Sequence, residues 1–179
     1  MTLINQNNLL VYLSGGSTNE DPALSIGGAC SGTLVGTALS DLFPNFSLAQ
    51  AEAGVVLHRC VYFRNEDPNE LGLSGTVAYV AVSSPNLWTE VDIGLAPEGL
   101  NGTAELLEDA ETPPAAVTFS HPTVFWSEEQ GYGLELPTPL VEGDEVPVWV
   151  RITVTAGAEW PELDYCLLAF VGITTPAEP

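Results

Sequence analysis

Two histidines, His58 and His121, three cysteines, Cys30, Cys60 and Cys166, and three arginines, Arg59, Arg64 and Arg151, are the side chains best suited to chemistry in this chain. A nucleophilic site needs a Ser or Cys within hydrogen-bond reach of a His that a carboxylate orients. No Gly-x-Ser-x-Gly elbow is present, and Gly72-Leu73-Ser74-Gly75 has the wrong spacing for one. His58 lies in a β-branched apolar run and shares a strand face with Val56, Cys60 and Tyr62. His121, in Ser120-His121-Pro122, reads as a strand exit. Both are expected to be packed structural histidines. The cysteines form no C-x-x-C pair and have no metal-type spacing. Their odd number, and a start without the basic and apolar regions of a secretory signal, point to synthesis in a reducing cytoplasm.

The oxygen-rich and glycine-rich stretches are weaker candidates. Asn65-Glu66-Asp67-Pro68-Asn69-Glu70 offers enough oxygens for calcium, but it lacks the EF-hand order and carries a proline, so a solvated loop is expected. The same holds for Asn19-Glu20-Asp21, residues 105–111, Glu128-Glu129 and Glu142-Gly143-Asp144-Glu145. Ser14-Gly15-Gly16-Ser17 and Gly27-Gly28-Ala29-Cys30-Ser31-Gly32 are expected to be turns, since a P-loop requires the lysine that this chain lacks. Neither a metal nor a cofactor is expected.

The arginines say more. All three fall in strand-like runs, and Arg59 shares a face with Leu57, Val61 and Phe63. An arginine on an apolar face needs a carboxylate or a partner surface, because an unpaired buried charge costs too much. Arg59, Arg64 and Arg151 are therefore expected in structural ion pairs or at an interface. Phe125-Trp126 reads as an apolar knob, either an interface anchor or a plug at the end of a sandwich. Trp88 and Trp160 are expected to be plugs.

Many short strands must position these groups. Residues 55–64, 75–83, 88–95, 146–155 and 163–171 are β-branched and aromatic and are bounded by turn residues. Residues 9–13, 24–29, 33–35, 104–107, 116–119 and 134–136 are weaker candidates. One short helix is expected, with Ser47 as N-cap, Gln50 closing a capping box and Gly54 ending it. This pattern predicts an all-β fold, an antiparallel β-sandwich or jelly roll with one short helix. A single domain spans 1–179, with extended tails at 1–8 and 173–179. The Cys, Trp, Cys spacing and the tyrosine position of immunoglobulin domains are not met.

Composition narrows the partners. The chain has 179 residues, 24 of them acidic, against three Lys plus Arg, and a formal net charge of −21. Such a surface repels phosphate backbones and anionic lipid headgroups, so neither nucleic acid nor membrane is an expected partner. The hydrophobic fraction of 45% separates the chain from disordered acidic tails, so the acids coat a folded body.

The order of several segments resembles a group of small virion proteins of tailed bacteriophages. These segments are Ser25-Ile26-Gly27-Gly28, Leu42-Phe43-Pro44-Asn45-Phe46-Ser47 with Glu52-Ala53-Gly54, and Arg59-Cys60-Val61-Tyr62-Phe63-Arg64-Asn65. Pro113-Pro114-Ala115-Ala116-Val117-Thr118-Phe119 and Val148-Trp149-Val150-Arg151 before Ala156-Gly157 complete the series, which covers most of the chain from about residue 15 to residue 172. The resemblance rests on strand and turn patterns. It implies a non-enzymatic structural protein, foremost a capsid decoration (cement) protein on the exterior of the virion, synthesised in the host cytoplasm. The implied partners are the major capsid protein, other virion proteins and further copies of the chain. The alternatives are a tail or baseplate component, a carbohydrate-binding adhesin with coplanar exposed tryptophans, and a β-sandwich hydrolase with two carboxylates in a cleft.

Overall fold

The computed structural model describes residues 9–36, 42–43, 46–67, 72–82, 87–124, 126–127, 131–157 and 167–175. Ten strands and one α-helix occupy them. They are β1 (Leu9–Ser14), β2 (Cys30–Leu34), α1 (Leu48–Ala53), β3 (Val55–Asn65), β4 (Gly72–Val82), β5 (Thr89–Leu95), β6 (Trp126–Ser127), β7 (Gly131–Tyr132), β8 (Leu134–Glu135), β9 (Glu145–Val154) and β10 (Leu167–Thr175). A five-stranded antiparallel sheet runs β2-β1-β3-β9-β5, and a three-stranded antiparallel sheet runs β10-β4-β8. The protein is an all-β sandwich with one short helix.

The helix forms as its capping residues dictate. The Ser47 hydroxyl accepts from the Gln50 amide at 3.3 Å, while the Gln50 side chain accepts from the Ser47 amide at 2.9 Å. Gly54 ends the helix at φ 78°.

Alternation decides what each face of the large sheet buries. One face carries Leu57, Val61 and Phe63 of β3, Val146, Val148, Val150 and Ile152 of β9, and Val91 and Ile93 of β5. These pack with Leu73 and Ala78 of β4 and with Leu136 and Leu140, forming the core between the sheets. The opposite face carries Cys60, Tyr62 and Trp149, and it too is covered. Ala96, Ala104 and Leu107 close over it from the long connection after β5. The Tyr62 hydroxyl ties this cover down, donating to the Gly28 carbonyl at 2.7 Å and accepting from the Ala104 amide at 3.0 Å. Gly27 permits the approach: at φ +100°, a Cβ there would stand 1.7 Å from the Glu105 carbonyl oxygen.

Several local expectations change. Residues 22–24 form a 3-10 turn, not the start of a strand, and of 24–29 only Gly28 makes a bridge. Residues 104–107 contribute one bridge at Ala104, and 116–119 form no strand. Ala104 and Leu107, with Val117 and Phe119 beside them, pack against the Cys60, Tyr62 and Trp149 face as cover, and the second segment then meets the open edge of β5 through the single Ser120–Ile93 bridge. β10 continues through Thr175, three residues into the segment expected as a tail. Residues 1–8, Phe125, Trp160 and Cys166 lie outside the described residues, as does the side chain of Trp126, whose backbone pairs with Tyr132.

Candidate functional site

Among the described residues, one group of ionisable side chains sits on the covered face of the large sheet, towards the α1 end. Register places it there: His58 of β3 pairs with Arg151 of β9, and Arg151 pairs with Asp92 of β5. The three side chains therefore form a row across the sheet. Arg151 donates from Nε at 3.0 Å and from Nη2 at 2.7 Å to the same Asp92 oxygen, Oδ2. Asp92 is buried, with 4% of its surface exposed. Phe119 lies over the row, its ring 4.6 Å from the Arg151 guanidinium carbon and 5.5 Å from the His58 ring. The contact adds a cation–π attraction to the ion pair.

A single bridge completes the group. Ile93 and Ser120 exchange two backbone hydrogen bonds, each 2.9 Å. The next residue, His121, is thereby laid against Asp92, with Nδ1 3.9 Å from Asp92 Oδ1 and in hydrogen-bond contact with the Val91 carbonyl. Glu90, two residues before Asp92 on β5 and exposed, joins them: Glu90, Asp92 and His121 can each bring one donor atom within 4.8 Å of the others.

The segment that carries His121 can lie so close only because residue 94 is glycine. A Cβ there would meet Val117 Cγ1 at 2.6 Å and the Thr118 carbonyl oxygen at 2.8 Å. Gly94→Ala is expected to cost about 1–3 kcal/mol through this overpacking. It should also raise amide exchange at Ser120 and Ile93; unchanged exchange there would show that the segment shifts without breaking the bridge.

His58 is anchored to backbone, with Nδ1 donating to the Ala110 carbonyl at 3.2 Å. Burial pushes its pKa below 6.5, the Ala110 carbonyl opposes this, and the charges of Arg151 and Arg59 add to the lowering. The folded protein thus holds the neutral imidazole, while the unfolded chain takes up a proton from about pH 6.5 downward. This group's contribution is complete above about pH 6.5 and is lost as pH falls below it. His58→Gln should therefore show a smaller loss of urea midpoint than the parent between about pH 7.5 and pH 5.5. Equal losses would place the proton uptake elsewhere.

The other expected site residues fall apart from this group. Arg59 is 3% exposed; it donates from Nη1 to the His58 carbonyl at 2.9 Å and lies 5.7 Å from the Phe43 ring centroid. Among the described residues no carboxylate reaches ion-pair distance of it, and burial lowers its pKa. Arg64 lies 3.4 Å from Glu66 and 3.9 Å from Glu145, beside the Tyr12 ring. Both ion pairs are partly exposed; the Glu145 pair links β9 to β3, and β1 is tied in by the Tyr12 hydroxyl, which donates to Glu66 at 2.7 Å. Arg151 alone among the arginines joins the histidines.

The described cysteines are poor nucleophiles. Burial pushes Cys30 up to about 12, with Glu145 adding to the shift, and burial raises Cys60 as well. Both remain thiols at neutral pH. A groove of about 450 Å³ lies beside α1, lined by Ala49, Gln50, Ala53, Val55, Val56 and Glu111. It brings together neither a histidine nor two carboxylates.

No family model, curated protein or solved structure matches this chain. What it does must therefore be argued from its own geometry. No helix among the described residues is long and apolar enough to cross a membrane.

Sequence reasoning passed over Glu90, Asp92 and Phe119. The alternation of two acids within a predicted strand was a usable signal, since i and i+2 share a face. The contribution of His121 was not legible, because it depends on one bridge made by a segment without strand character.

Proposed function

We propose that this chain is a non-enzymatic structural protein of a tailed-phage virion, a decoration protein bound to the outside of the capsid shell. The observation that carries the reading is where apolar surface is left open. Both faces of the large sheet are covered by the chain itself, yet one end of the sandwich presents apolar side chains to solvent. Leu87 is 98% exposed, Leu48 57%, Trp88 39% and Val56 38%. Backbone contacts bring these segments to the same end: the Thr155 amide bonds the Trp88 carbonyl at 2.8 Å, and the Gly157 amide bonds Ala51 at 3.0 Å. Leu106 and Leu24 are exposed beside the Gly27 and Gly15 turns, but the group of four at one end suits a contact surface. The acidic coat, at a net charge of −21, suits an outward face away from packaged DNA.

As a cement, the protein would bind the assembled lattice and not free subunits, which shifts the equilibrium toward the intact shell. Many copies, with homo-oligomeric contacts, would supply avidity. The test is immunogold labelling of virions, followed by re-addition of the purified chain to stripped particles. Label over the heads, and a rise in the temperature of shell disruption that Leu87→Asp abolishes, is the expected result. Label confined to the tails would overturn the decoration reading in favour of a tail or baseplate component.

A further inference from the structure

We infer that the groove between α1 and the start of β3 receives an extended segment of a partner protein, one that carries an apolar residue flanked by lysine or arginine. The inference rests on the reading of this end of the sandwich as a contact surface, and it supplies the chemistry of what binds there.

The edge of β3 is incomplete at this point. β1 pairs with β3 only from Val61 to Asn65. Backbone amides of alternate residues point to the same edge of a strand. Before Val61 that edge is met by single bonds: the Cys60 amide donates to the Ser25 carbonyl and the His58 amide to the Ala110 carbonyl, each at 2.7 Å. Val56 is next in the series. Among the described residues no backbone group bonds its amide from that side, and Val56 is 38% exposed. The chain after Ala110 does not take the place, because the Asp109 carboxylate accepts from the Glu111 and Thr112 amides, at 2.9 and 2.7 Å, and holds these residues in a bend.

The groove opens beside Val56, with Glu111 in its wall. Its room comes from α1: Ala49 and Ala53, four residues apart on one side of the helix, present only methyl groups to it. A strand laid along Val56 would gain a main-chain bridge of the kind that Ser120 makes with Ile93, and would drop an alternate side chain into the groove. Main-chain bonds then supply attachment, and the groove selects an apolar residue.

Charge selects what flanks that residue. Besides Glu111, Glu52 is exposed on the same side of α1 as Ala49, and Glu108 and Asp109 are exposed just before Glu111. The protein's own arginines do not answer these acids: Arg59 is buried, Arg151 is held by Asp92, and Arg64 by Glu66 and Glu145. Cations on the incoming segment complement them. A second copy of this chain does not fit, since it has no lysine, its three arginines are engaged, and its net charge of −21 repels its like.

The probe is an end-blocked peptide of alternating Val and Lys, titrated into the full chain at physiological salt and followed by amide NMR. Saturable shifts at Ala53, Val56 and Glu111 are expected, with new exchange protection of the Val56 amide. A Ser–Lys peptide of the same charge and a Val–Glu peptide should each bind more weakly by about tenfold or more. Glu111→Gln should weaken binding of the Val–Lys peptide by about two- to fivefold. Ala53→Trp, which fills the groove, should weaken it by about tenfold or more. Both positions are exposed, so the Tm of each variant should match the parent. Equal binding of the Ser–Lys peptide, shifts spread over the whole acidic surface, or an unchanged affinity in Ala53→Trp would overturn the inference. A chain that re-binds stripped particles yet ignores the Val–Lys peptide loses this inference and keeps the decoration reading. Label confined to the tails, with the peptide bound as expected, does the reverse.

Discussion

Replacing Arg151 with Met is expected to destabilise the protein by about 3 kcal/mol, and adding Asp92→Val should return most of that loss. The Asp92 carboxylate is buried, and Arg151 supplies both of its close donors, at 3.0 and 2.7 Å. Removing the cation leaves a largely buried carboxylate without its counter-charge. The Arg151 side chain is 35% exposed, so some water can enter, and the cost should fall at the low end of the range for broken buried pairs. Met keeps the stem that packs under Phe119 but loses the attraction between guanidinium and ring, a further 0.5–1 kcal/mol or about that. Val at position 92 removes the stranded charge and suits a strand. Urea unfolding of the two single variants and the double variant measures the coupling. If the losses in the double variant simply add, the pair is not coupled, and the carboxylate is better solvated than its burial implies.

Trp149→Ala should cost about 4 kcal/mol, and Trp149→Phe only about 1 kcal/mol. Trp149 is fully buried in the middle of the covered face, flanked across the sheet by Cys60 on β3 and Gly94 on β5. Alanine would open a cavity that the sheet cannot collapse to fill, because neighbouring strands fix the backbone on both sides. Phenylalanine loses part of the ring, but it also removes the indole N–H, which is buried without a hydrogen-bond partner. An unsatisfied buried donor carries its own penalty, so the two changes offset. Circular dichroism against denaturant is the measurement. A phenylalanine variant as unstable as the alanine variant would mean that the indole makes a contact that ring volume alone does not explain.

The pH response of His58, the packing limit at Gly94 and the Arg151–Asp92 coupling all concern one surface, the face of the large sheet covered by residues 96–121. Sequence alone gave little warning of this cover. Residues 104–107 and 116–119 have strand-like composition, yet apart from the Ala104 bridge they form no strand and pack against the covered face. Composition signals that a segment wants burial; it does not say whether burial comes from pairing at an edge or from packing over a face. Likewise, reading the acids as clusters in loops overlooked Glu90 and Asp92, which stand within β5.

What the sequence determined by itself is local: the period-two alternation of β3 and β9, the Ser47–Gln50 capping box with its glycine stop, the all-β class, and the acidic coat. Each follows from residue type at short spacing, where backbone sterics and burial leave few choices. Only the tertiary structure decided which strands are neighbours. The row His58–Arg151–Asp92 exists because β9 inserts between β3 and β5, and His121 joins it because Ser120 bridges Ile93. Alternation tells which face a side chain is on but carries no information about the strand lying beside it. That choice is made by long-range packing of the whole core.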